Sequence, residues 1–446
     1  MANSYLSRTP SSTGNRRKFT FSAWVKFNFN QLANNSRIFS CGSATSAWVS
    51  AYFNSTGDLQ LAIVEGGTTY TIQTNRLFRD ESAWYHLVFV VDTENATADN
   101  RLRMYVNGEE ETSFSQRVNP TQDLDTQANT ASKPIDIGSA ENVGYSPRYF
   151  PGYMSHVAMV DGAVVAPTVF GETDSTSGIW KFKSPSGVTW GTNGFHLKFE
   201  NSGALGTDSS GNSNTFTVNG NLKQALDTPS NVYSTMNPLD NYYFGGTFSN
   251  GNLTIQSSTS PSNCCTSTFG VSSGKWYVEA KLSSGTKGIF GVTPKNSTST
   301  STGIGNSGFG VGVQNTGSLK NDGSTTTSWS NTYTTNDILQ VALDLDNNKF
   351  YFGINGTFQN SANPSAGTNG VSIVTPSNTA TGFYFFGFSD NNSGSDNSTF
   401  QYNFGNGFFG TTAITSAGSN GNGSLFEYDV PTGFYALNTK NINTYG

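Results

Sequence analysis

The sequence predicts an all-β protein built from two antiparallel β-sandwiches, and two observations favour this fold class. The first is a hairpin pattern that occurs twice, in residues 84–109 and again in residues 338–358. Each copy has an apolar strand, a polar turn, an alternating strand and an Asn-Gly pair that fits a type I′ turn. The second is composition: aromatic residues make up 13% of the chain and charged residues only 12%, which favours strands between Gly- and Asn-rich turns over long helices.

The first sandwich is predicted over residues 1–177. Residues 19–29 alternate in polarity, and Phe19 and Phe21 are expected on the buried face. Residues 84–91 are apolar at nearly every position, which is typical of a strand buried on both faces. Further strands of this sandwich are predicted at residues 37–40, 48–53, 59–65, 101–106, 135–138 and 152–161.

Residues 178–243 are predicted to be a connector rich in Pro, Gly and Asn, with one or two strands that pack on the first sandwich. Pro229 and Pro238 favour extended and rather rigid backbone in its second half. The second sandwich is predicted over residues 244–410. Residues 411–446 are predicted to be a C-terminal docking segment, with a short strand, a Pro-Thr-Gly turn and an apolar anchor.

The motifs of the two sandwiches resemble known families. In the first, FTFSAWVKF, WYHLVFVVD, RLRMYVNG, IDIGS and GYMSHVAMVDGAVVAPTVFGE follow, in this order, the pattern of laminin-G-like, concanavalin-A-like jelly rolls. The second resembles a SPRY (B30.2-like) domain in residues 274–279, the Asp344–Asn348 turn, Asn355-Gly356 and residues 383–388. The resemblances imply two concanavalin-like jelly rolls joined by the connector.

The ends and the connector carry a further resemblance. The opening NSYLSRTPSSTGNRRKFTFSAWVK, the segment LDTPSNVYSTMNPLDNYY and the tail from Phe426 to Lys440 are similar to tail-fibre and other virion proteins of tailed bacteriophages. This resemblance implies a structural virion component, with other virion proteins as partners, a homotrimeric assembly and a host-surface polysaccharide as ligand. We expect the chain on the virion surface, made in the host cytoplasm and released by lysis.

Charge and hydropathy exclude several classes of protein. The net charge is −6 at pH 7 and the one basic cluster, Arg16-Arg17-Lys18, is short, so no nucleic-acid partner is expected. No apolar run approaches the ~18 residues of a membrane span, so no membrane insertion is expected. The first residues lack the apolar stretch of a secretory signal, which disfavours a secreted adhesin or lectin.

Residue patterns for catalysis are scarce, and we expect no enzymatic activity. Glycoside hydrolysis needs two carboxylates about 5–10 Å apart, and the Glu-x-Asp-x-x-Glu string of jelly-roll glucanases does not occur in the sequence. Asp344 and Asp346 share a strand face, but they lie at a hairpin turn, where a structural role is favoured. The three histidines, His86, His156 and His196, lie among apolar residues and are interpreted as hydrogen-bonded core or edge residues.

Binding is the favoured chemistry, because sugars stack their C–H faces on aromatic rings and pair their hydroxyls with polar groups. Two predicted loops combine aromatic and polar side chains and supply the candidate ligand-binding residues: Tyr145, Arg148 and Tyr149 in one, and Trp329, Asn331 and Tyr333 in the other. No cofactor is predicted. The laminin-G-like resemblance makes calcium the candidate metal, and three aspartates are its candidate ligands: Asp92, Asp99 and Asp136.

The leading hypothesis is a non-enzymatic subunit of a phage virion, a tail fibre or decoration protein, that attaches to host-surface glycans. A purely architectural capsid or tail decoration protein is the nearest alternative. A depolymerase of host exopolysaccharide is the enzymatic alternative, and it would require a catalytic carboxylate such as Asp344.

Overall fold

The computed structural model describes residues 4–28, 32, 35–144, 148–242, 246–257, 264–294, 303–306, 308–390 and 397–446. The chain divides into two compact units, residues 1–224 and residues 225–446, which are called unit 1 and unit 2. This division falls inside the predicted connector, so residues 178–224 belong to unit 1 and residues 225–243 to unit 2. Regular structure is almost entirely β-strand, which confirms the predicted all-β fold class.

The strands of unit 1, numbered along the chain, are β1 (Tyr5–Arg8), β2 (Lys18–Phe27), β3 (Ser36–Ala44), β4 (Ala47–Phe53), β5 (Asp58–Glu65), β6 (Thr68–Leu77), β7 (Tyr85–Asp92), β8 (Leu102–Val106), β9 (Glu109–Glu110), β10 (Phe114–Val118), β11 (Ile135–Ile137), β12 (Gly152–Asp161), β13 (Gly171–Thr173), β14 (Trp180–Phe182), β15 (Phe195–Leu197) and β16 (Thr217–Asn219). Short 3-10 turns lie at Ala98–Asn100, Glu141–Val143 and Pro167–Val169.

The strands of unit 1 form two large antiparallel sheets. One has eight strands in the order β10-β6-β5-β4-β3-β11-β1-β16, and the other has six in the order β15-β12-β2-β7-β8-β9. β13 and β14 form a separate hairpin. Apolar residues of both large sheets share one core, in which Phe21 of β2 stacks on Phe39 of β3 with ring centroids 4.1 Å apart. Unit 1 is thus a β-sandwich, as predicted.

The strands of unit 2 are β17 (Met236–Tyr242), β18 (Thr247–Ser249), β19 (Thr254–Gln256), β20 (Cys264–Val271), β21 (Lys275–Ser284), β22 (Ile289–Thr293), β23 (Val311–Gln314), β24 (Leu319–Asn321), β25 (Ser324–Thr326), β26 (Ile338–Asp344), β27 (Lys349–Ile354), β28 (Thr357–Phe358), β29 (Val371–Ser372), β30 (Tyr384–Ser389), β31 (Thr399–Asn403), β32 (Phe408–Phe409), β33 (Thr412–Ala413) and β34 (Tyr435–Ala436). A 3-10 turn lies at Pro376–Asn378, and helix α1 spans Thr439–Tyr445. Among the described residues, no helix has the length and apolar character needed to cross a membrane.

Unit 2 is also a two-sheet sandwich. One sheet has the order β17-β20-β30-β22-β23-β24-β25. The other has the path β18-β19-β31-β21-β26-β27-β28, with β29 paired to β27 and β34 paired to β21. The core lies between the sheets, where Phe388 of β30 and Phe400 of β31 approach with ring centroids 4.7 Å apart.

The two predicted hairpins are present and are built alike. β7 and β8 form the hairpin of unit 1, and β26 and β27 form that of unit 2. The Asn-Gly turn that follows each hairpin joins β8 to β9 in unit 1 and β27 to β28 in unit 2. Both residues of Asn107-Gly108 have positive φ (+50° and +85°), as do both residues of Asn355-Gly356 (+48° and +84°). In each turn the asparagine Oδ1 accepts the backbone N–H at the start of the hairpin, from His86 at 2.8 Å or Ile338 at 2.9 Å.

In each unit a later segment covers the outer face of one sheet. In unit 1 the segment after β12 places Phe170 on Ala158, on the outer face of the six-stranded sheet. In unit 2 the C-terminal segment places Phe426 against Tyr277 of β21, with ring centroids 4.9 Å apart, and adds β34 in parallel to β21. These faces are therefore buried.

Candidate functional site

One loop of unit 1, described at residues 138–144 and 148–150, crosses the outer face of the eight-stranded sheet and is called the crossing loop. Ser40 of β3 donates a hydrogen bond to a loop carbonyl at 2.8 Å. Asp136 of β11, which is 1% exposed, accepts two hydrogen bonds from Asn142, one from the backbone N–H at 2.9 Å and one from Nδ2 at 2.6 Å. These bonds hold the loop on the sheet.

An apolar cluster fixes the same loop by packing. Ala140 and Val143 are buried against Trp48 and Tyr52 of β4. The guanidinium carbon of Arg37 lies 4.0 Å from the ring centroid of Tyr52 and 4.8 Å from that of Trp48, a cation–π arrangement. The loop therefore rests on a rigid aromatic base.

Two tyrosines and three polar residues lie together around this loop and are called the tyrosine patch: Tyr5, Glu141, Asn142, Tyr149 and Asn219. The rings of Tyr149 and Tyr5 are half-buried, with centroids 6.1 Å apart and a tilt of 37°. The Tyr149 hydroxyl donates to Glu141, an exposed residue, at 3.0 Å. Asn219 of β16 lies directly opposite Tyr5 of β1, so their side chains share one face of the sheet.

Burial and nearby carboxylates raise the pKa of both tyrosines. For Tyr149, burial and the hydrogen bond to Glu141 raise the pKa to about 12. The pKa of Tyr5 is raised by burial, then by Asp136 and Glu141. Burial also raises the pKa of Asp136 to about 6, against the lowering effect of the bonds from Asn142. Both phenols are neutral at physiological pH, so each hydroxyl donates as well as accepts hydrogen bonds.

This arrangement has the chemistry to hold a sugar ring. Fixed aromatic rings offer faces for the C–H side of the sugar, and the phenol, carboxylate and amide groups beside them offer partners for its hydroxyls. Because the Tyr149 hydroxyl is bound to Glu141 and its ring contacts that of Tyr5, part of the cost of ordering these side chains is met before a ligand binds.

The structure brings part of the first predicted cluster into this patch. Tyr149 is a central member, whereas Arg148 is half-buried and its carbonyl accepts the backbone N–H of Arg37 at 3.2 Å. Tyr145 lies outside the described residues. Sequence reasoning missed Tyr5, although the alternation of Tyr5-Leu6-Ser7 was a signal that this tyrosine faces away from the core.

Glu141 and Asn219 were also missed by sequence reasoning. Glu141 joins the patch through a 3-10 turn that the loop composition does not reveal. Asn219 comes from β16, which pairs with β1 at the edge of the sheet. This pairing joins segments far apart in the chain, and no local pattern predicts it.

The second predicted cluster is not an exposed platform, and the expectation for Tyr333 is corrected. Tyr333 is 1% exposed, and its hydroxyl lies 2.8 and 3.0 Å from the carbonyl oxygens of Gly288 and Val313, to which it donates. Trp329 is half-buried against the core of unit 2, and only Asn331 is exposed. The loop composition suggested exposure, but the buried carbonyls of two neighbouring segments need the tyrosine hydroxyl as a donor.

The three candidate calcium ligands lie in separate surroundings. Asp92 ends β7 and lies 3.6 Å from Lys18 Nζ. Asp99 lies in a 3-10 turn and accepts from Asn119 at 2.6 Å, while Asp136 on the eight-stranded sheet is engaged by the crossing loop. In the part of the chain that the structure describes, no three His, Cys, Asp or Glu side chains form a group that could hold a metal. The structure does not bring these three aspartates together, and calcium binding by any of them stays a prediction.

Asp344, the carboxylate of the enzymatic alternative, has a structural environment. Its side chain is 0% exposed and lies 3.0 Å from Lys275 Nζ. Asn347 donates to it twice, from the backbone N–H at 3.0 Å and from Nδ2 at 2.9 Å. This set of partners closes the β26–β27 turn.

Comparison with family models identifies the first part of the chain. Residues 2–170 match the Laminin_G_3 model, described as the concanavalin A-like lectin/glucanases superfamily. This segment is similar in sequence to a concanavalin-like domain. The match confirms the laminin-G-like resemblance of the first sandwich, and it includes Tyr5, Glu141, Asn142 and Tyr149 of the patch. The comparison with curated proteins finds no match.

Several solved structures are similar to parts of the chain. The SPRY domain of human HERC1 is 12% identical, with 37% of this chain and 96% of that chain covered and a TM-score of 0.30. Domain 4 of the arabinanase AbnA from Geobacillus stearothermophilus is 22% identical, with coverage of 36% and 68% and a TM-score of 0.28. The Ruminococcus gnavus sialidase CBM40 is 14% identical, with coverage of 35% and 81% and a TM-score of 0.27. At these TM-scores the likenesses assign no function.

Proposed function

We propose that the protein is a non-catalytic glycan-binding protein whose binding surface is the tyrosine patch of the concanavalin-like domain. The observation that carries this proposal is the pair Tyr5 and Tyr149, two half-exposed rings 6.1 Å apart that are fixed beside a carboxylate and two amides. This combination of aromatic faces and hydrogen-bonding groups is the one that sugars need.

The biological setting we propose is the surface of a tailed-phage virion. The chain would be a tail-fibre or decoration subunit, assembled as a homotrimer with other virion proteins, and its ligand would be a polysaccharide of the host surface. The support is the resemblance of the opening residues, the connector and the tail to such proteins. A concanavalin-like domain that binds glycans would suit attachment.

We propose that binding occurs without turnover. The support is the environment of Asp344, whose carboxylate is already used by Lys275 and Asn347 inside unit 2. A general acid or nucleophile needs a carboxylate that reaches the substrate, and this one is covered.

A binding assay tests the proposal. The purified full chain is applied to a glycan array and to host cells, as wild type and as the variants Tyr5→Ala and Tyr149→Ala. Because each ring would lose its stacking contact, we expect each variant to weaken binding at least about fivefold. The matched control is Phe383→Ala, which removes an aromatic side chain that is 44% exposed in unit 2 and should leave binding unchanged.

Three outcomes would redirect the proposal. No saturable binding by a correctly assembled protein would favour the purely architectural role. Equal binding by wild type and both tyrosine variants would place the glycan elsewhere on the chain. Release of reducing ends from host polysaccharide, lost in Asp344→Asn, would establish the depolymerase alternative.

A further inference from the structure

All three histidines of the chain lie on the outer face of the six-stranded sheet of unit 1, beneath one later segment. This segment, residues 170–190, is called the cover segment. It places one aromatic ring in a stacked position on each imidazole. The three pairs, with the distances between ring centroids, are Trp180 on His86 (5.9 Å), Phe182 on His156 (3.6 Å) and Trp190 on His196 (5.7 Å).

The cover segment is attached to the sheet mainly at its two ends. Its strands β13 and β14 pair with each other and, among the described strands, with neither large sheet. Just before the segment, Thr20 Oγ1 donates to the carbonyl of Ala163 at 3.0 Å and accepts the N–H of Val165 at 3.1 Å. At its other end, the backbone N–H of Asp161 donates to the carbonyl of Trp190 at 2.9 Å. Between these points the segment rests on the sheet through side chains, and the stacked rings are among them.

The hydrogen bond that joins the cover segment to His86 requires a neutral imidazole. An indole N–H can only donate, and Trp180 Nε1 lies 3.1 Å from Nδ1 of His86, so this nitrogen carries no proton. The proton of the ring is therefore on Nε2, 2.9 Å from Ser22 Oγ. Protonation would add a hydrogen to Nδ1 that points at the indole N–H. The bond would be lost and replaced by repulsion.

The other two imidazoles are also in places that disfavour a second proton. Nδ1 of His156 is sealed from solvent and has no hydrogen-bond partner within the described residues. The face of Phe182 would attract a cation, but the N–H groups of an imidazolium lie in the plane of the ring, where this Nδ1 has no acceptor. The centroid of His196 lies 5.6 Å from that of His156, so two charged rings would repel each other.

Burial is the main cause that keeps the three rings neutral. It lowers the pKa of His86 to about 3. Burial, then His196 and Lys198, lowers the pKa of His156 to about 3. Burial and then Lys198 lower the pKa of His196 to about 4, while Asp208 acts in the opposite direction. The carboxylate of Asp208 already accepts backbone N–H groups, including that of His196 at 2.9 Å.

The other charged groups around this face do not compensate a charge on the imidazoles. They are Glu172, Asp174, Lys181 and Lys183 on the cover segment, Lys26 on β2, Arg103 on β8, Glu109 and Glu110 on β9, Asp161 at the end of β12, and Glu200. Lys181 Nζ lies 3.6 Å from Glu172 and 2.9 Å from Asp174. Glu200 lies 3.9 Å from Lys198, and the Asp161 carboxylate accepts two backbone N–H groups. The two glutamates of β9 are exposed, where solvent screens their charge.

We propose that the cover segment is an acid-released cover, which stays closed while the three imidazoles are neutral and opens away from the sheet when they take up protons. The tethers at its two ends would keep it on the chain. Opening would expose Trp24, which is 3% exposed and stacks on His86 with centroids 4.8 Å apart, together with the rings of the cover segment itself. Acid would therefore give unit 1 an aromatic surface that it hides at neutral pH.

The test is hydrogen exchange of the full chain by mass spectrometry at pH 7.5 and pH 5, corrected for intrinsic rates. At both pH values we expect the amides of β13 and β14 to exchange faster than those of β4 and β5, because the cover opens without unfolding the sandwich. Each imidazole that regains its ordinary pKa of 6.5 in the open form should raise the opening constant of the cover about thirtyfold at pH 5. The C-terminal segment of unit 2, residues 426–436, has no histidine and is the internal control, with no rise at pH 5.

Three variants assign the response to the imidazoles. His86→Gln keeps an acceptor for Trp180 but does not titrate in this range, so it should reduce the acid response of the cover about thirtyfold. His156→Asn and His196→Asn should each have a similar effect, and Asn is chosen at residue 156 because φ there is +47°, which Asn tolerates better than most side chains. Circular dichroism at pH 7.5 establishes that each variant is folded.

The wild-type comparison decides the question even if a variant does not fold. An opening constant of the cover that is the same at both pH values would overturn the proposal. So would one opening constant shared by the cover and by β4 and β5, because the cover would then open only when the whole unit unfolds. An acid response that none of the three variants reduces would also overturn it.

Discussion

In unit 1 and unit 2 a later segment covers one sheet in the same way, but the buried polar groups that it contacts differ in charge type. In each, an aromatic side chain from a later segment lies on the glycine of the Asn-Gly hairpin turn. A Cβ on Gly108 would lie 2.6 Å from the Trp180 ring, and a Cβ on Gly356 would lie 2.8 Å from the Tyr428 ring. The covering segments therefore dock at equivalent points, and each glycine is required both by its positive φ and by this close approach.

The polar groups under the two covers differ. In unit 1, the Trp180 indole N–H donates to Nδ1 of the fully buried His86. In unit 2, the fully buried Glu279 accepts the backbone N–H groups of Glu427 and Tyr428 at 2.8 and 2.9 Å. The covering segment of unit 1 is hydrogen-bonded to the neutral imidazole of His86, and that of unit 2 is hydrogen-bonded to the carboxyl group of Glu279. Because burial disfavours the charged form of either group, the two units should respond to pH in opposite directions.

Loss of the carboxylate at Glu279 should have the largest effect on stability. Besides the two N–H groups, the Tyr277 hydroxyl donates to it at 3.0 Å, and Asn403 Nδ2 lies 3.4 Å away. Glu279→Ala would leave these donors unsatisfied, and we expect a loss of roughly 3–5 kcal/mol of unfolding free energy. Denaturant unfolding of the full chain measures it. A loss below about 1 kcal/mol would mean that the hydrogen bonds of Glu279 do not hold the C-terminal segment on the sheet.

The hairpin glycines should have the next largest effect, and an equal one in the two units. Gly108→Ala and Gly356→Ala each force a side chain into positive φ and into an aromatic ring, at an expected cost of about 2–4 kcal/mol. Thermal unfolding of both variants tests whether the two turns are equivalent. A large effect at one turn and none at the other would break the comparison.

The response to pH should sharpen the contrast. Burial lowers the pKa of His86 from 6.5 to about 3. Its contribution to the free energy of unfolding is therefore complete above pH 6.5 and falls by about 2 kcal/mol at pH 5. Burial raises the pKa of Glu279 from 4.5 to about 7, against the lowering effect of its N–H donors. The contribution of Glu279 to the free energy of unfolding is therefore complete below pH 4.5 and falls by about 3 kcal/mol as pH rises to 7.

Hydrogen exchange of core amides, followed in the full chain at pH 5 and pH 7.5 with correction for intrinsic rates, measures both units together. Unit 1 should be less protected at pH 5 and unit 2 less protected at pH 7.5. Burial also lowers the pKa of His156 and His196, so these residues, like His86, make unit 1 less stable as the pH falls. Asp136, whose pKa burial raises to about 6, offsets part of this loss of stability. His86→Gln and Glu279→Gln should each flatten the response of their own unit. A parallel response in both units would contradict this account.

The hairpin asparagines should have the smallest effect. Asn107→Ala and Asn355→Ala each remove one side-chain hydrogen bond and place alanine at positive φ, at an expected cost of about 1–2 kcal/mol. Because the two bonds have nearly equal lengths, the two losses should agree within about 0.5 kcal/mol. Thermal unfolding curves of the two variants provide the comparison.

Much of the fold could be predicted from sequence, because its strongest signals are local. The β7–β8 and β26–β27 hairpins follow from strand periodicity, and the Asn-Gly turns follow at the ends of β8 and β27, where the pattern placed them. The patch depends on the pairing of β1 with β16, which brings Tyr5 opposite Asn219, and no short-range pattern reports such a contact. Tyr333 was misjudged for a related reason: its loop composition suggests exposure, but its hydroxyl is needed by carbonyls of other segments.

The most direct test of the glycan-binding surface is hydrogen exchange of the full chain with and without a saturating amount of the best glycan from the array. The account predicts new protection in the crossing loop and in β1 of unit 1, lost in Tyr149→Ala, with no change in unit 2. Protection confined to unit 2, or no protection at saturation, would contradict it.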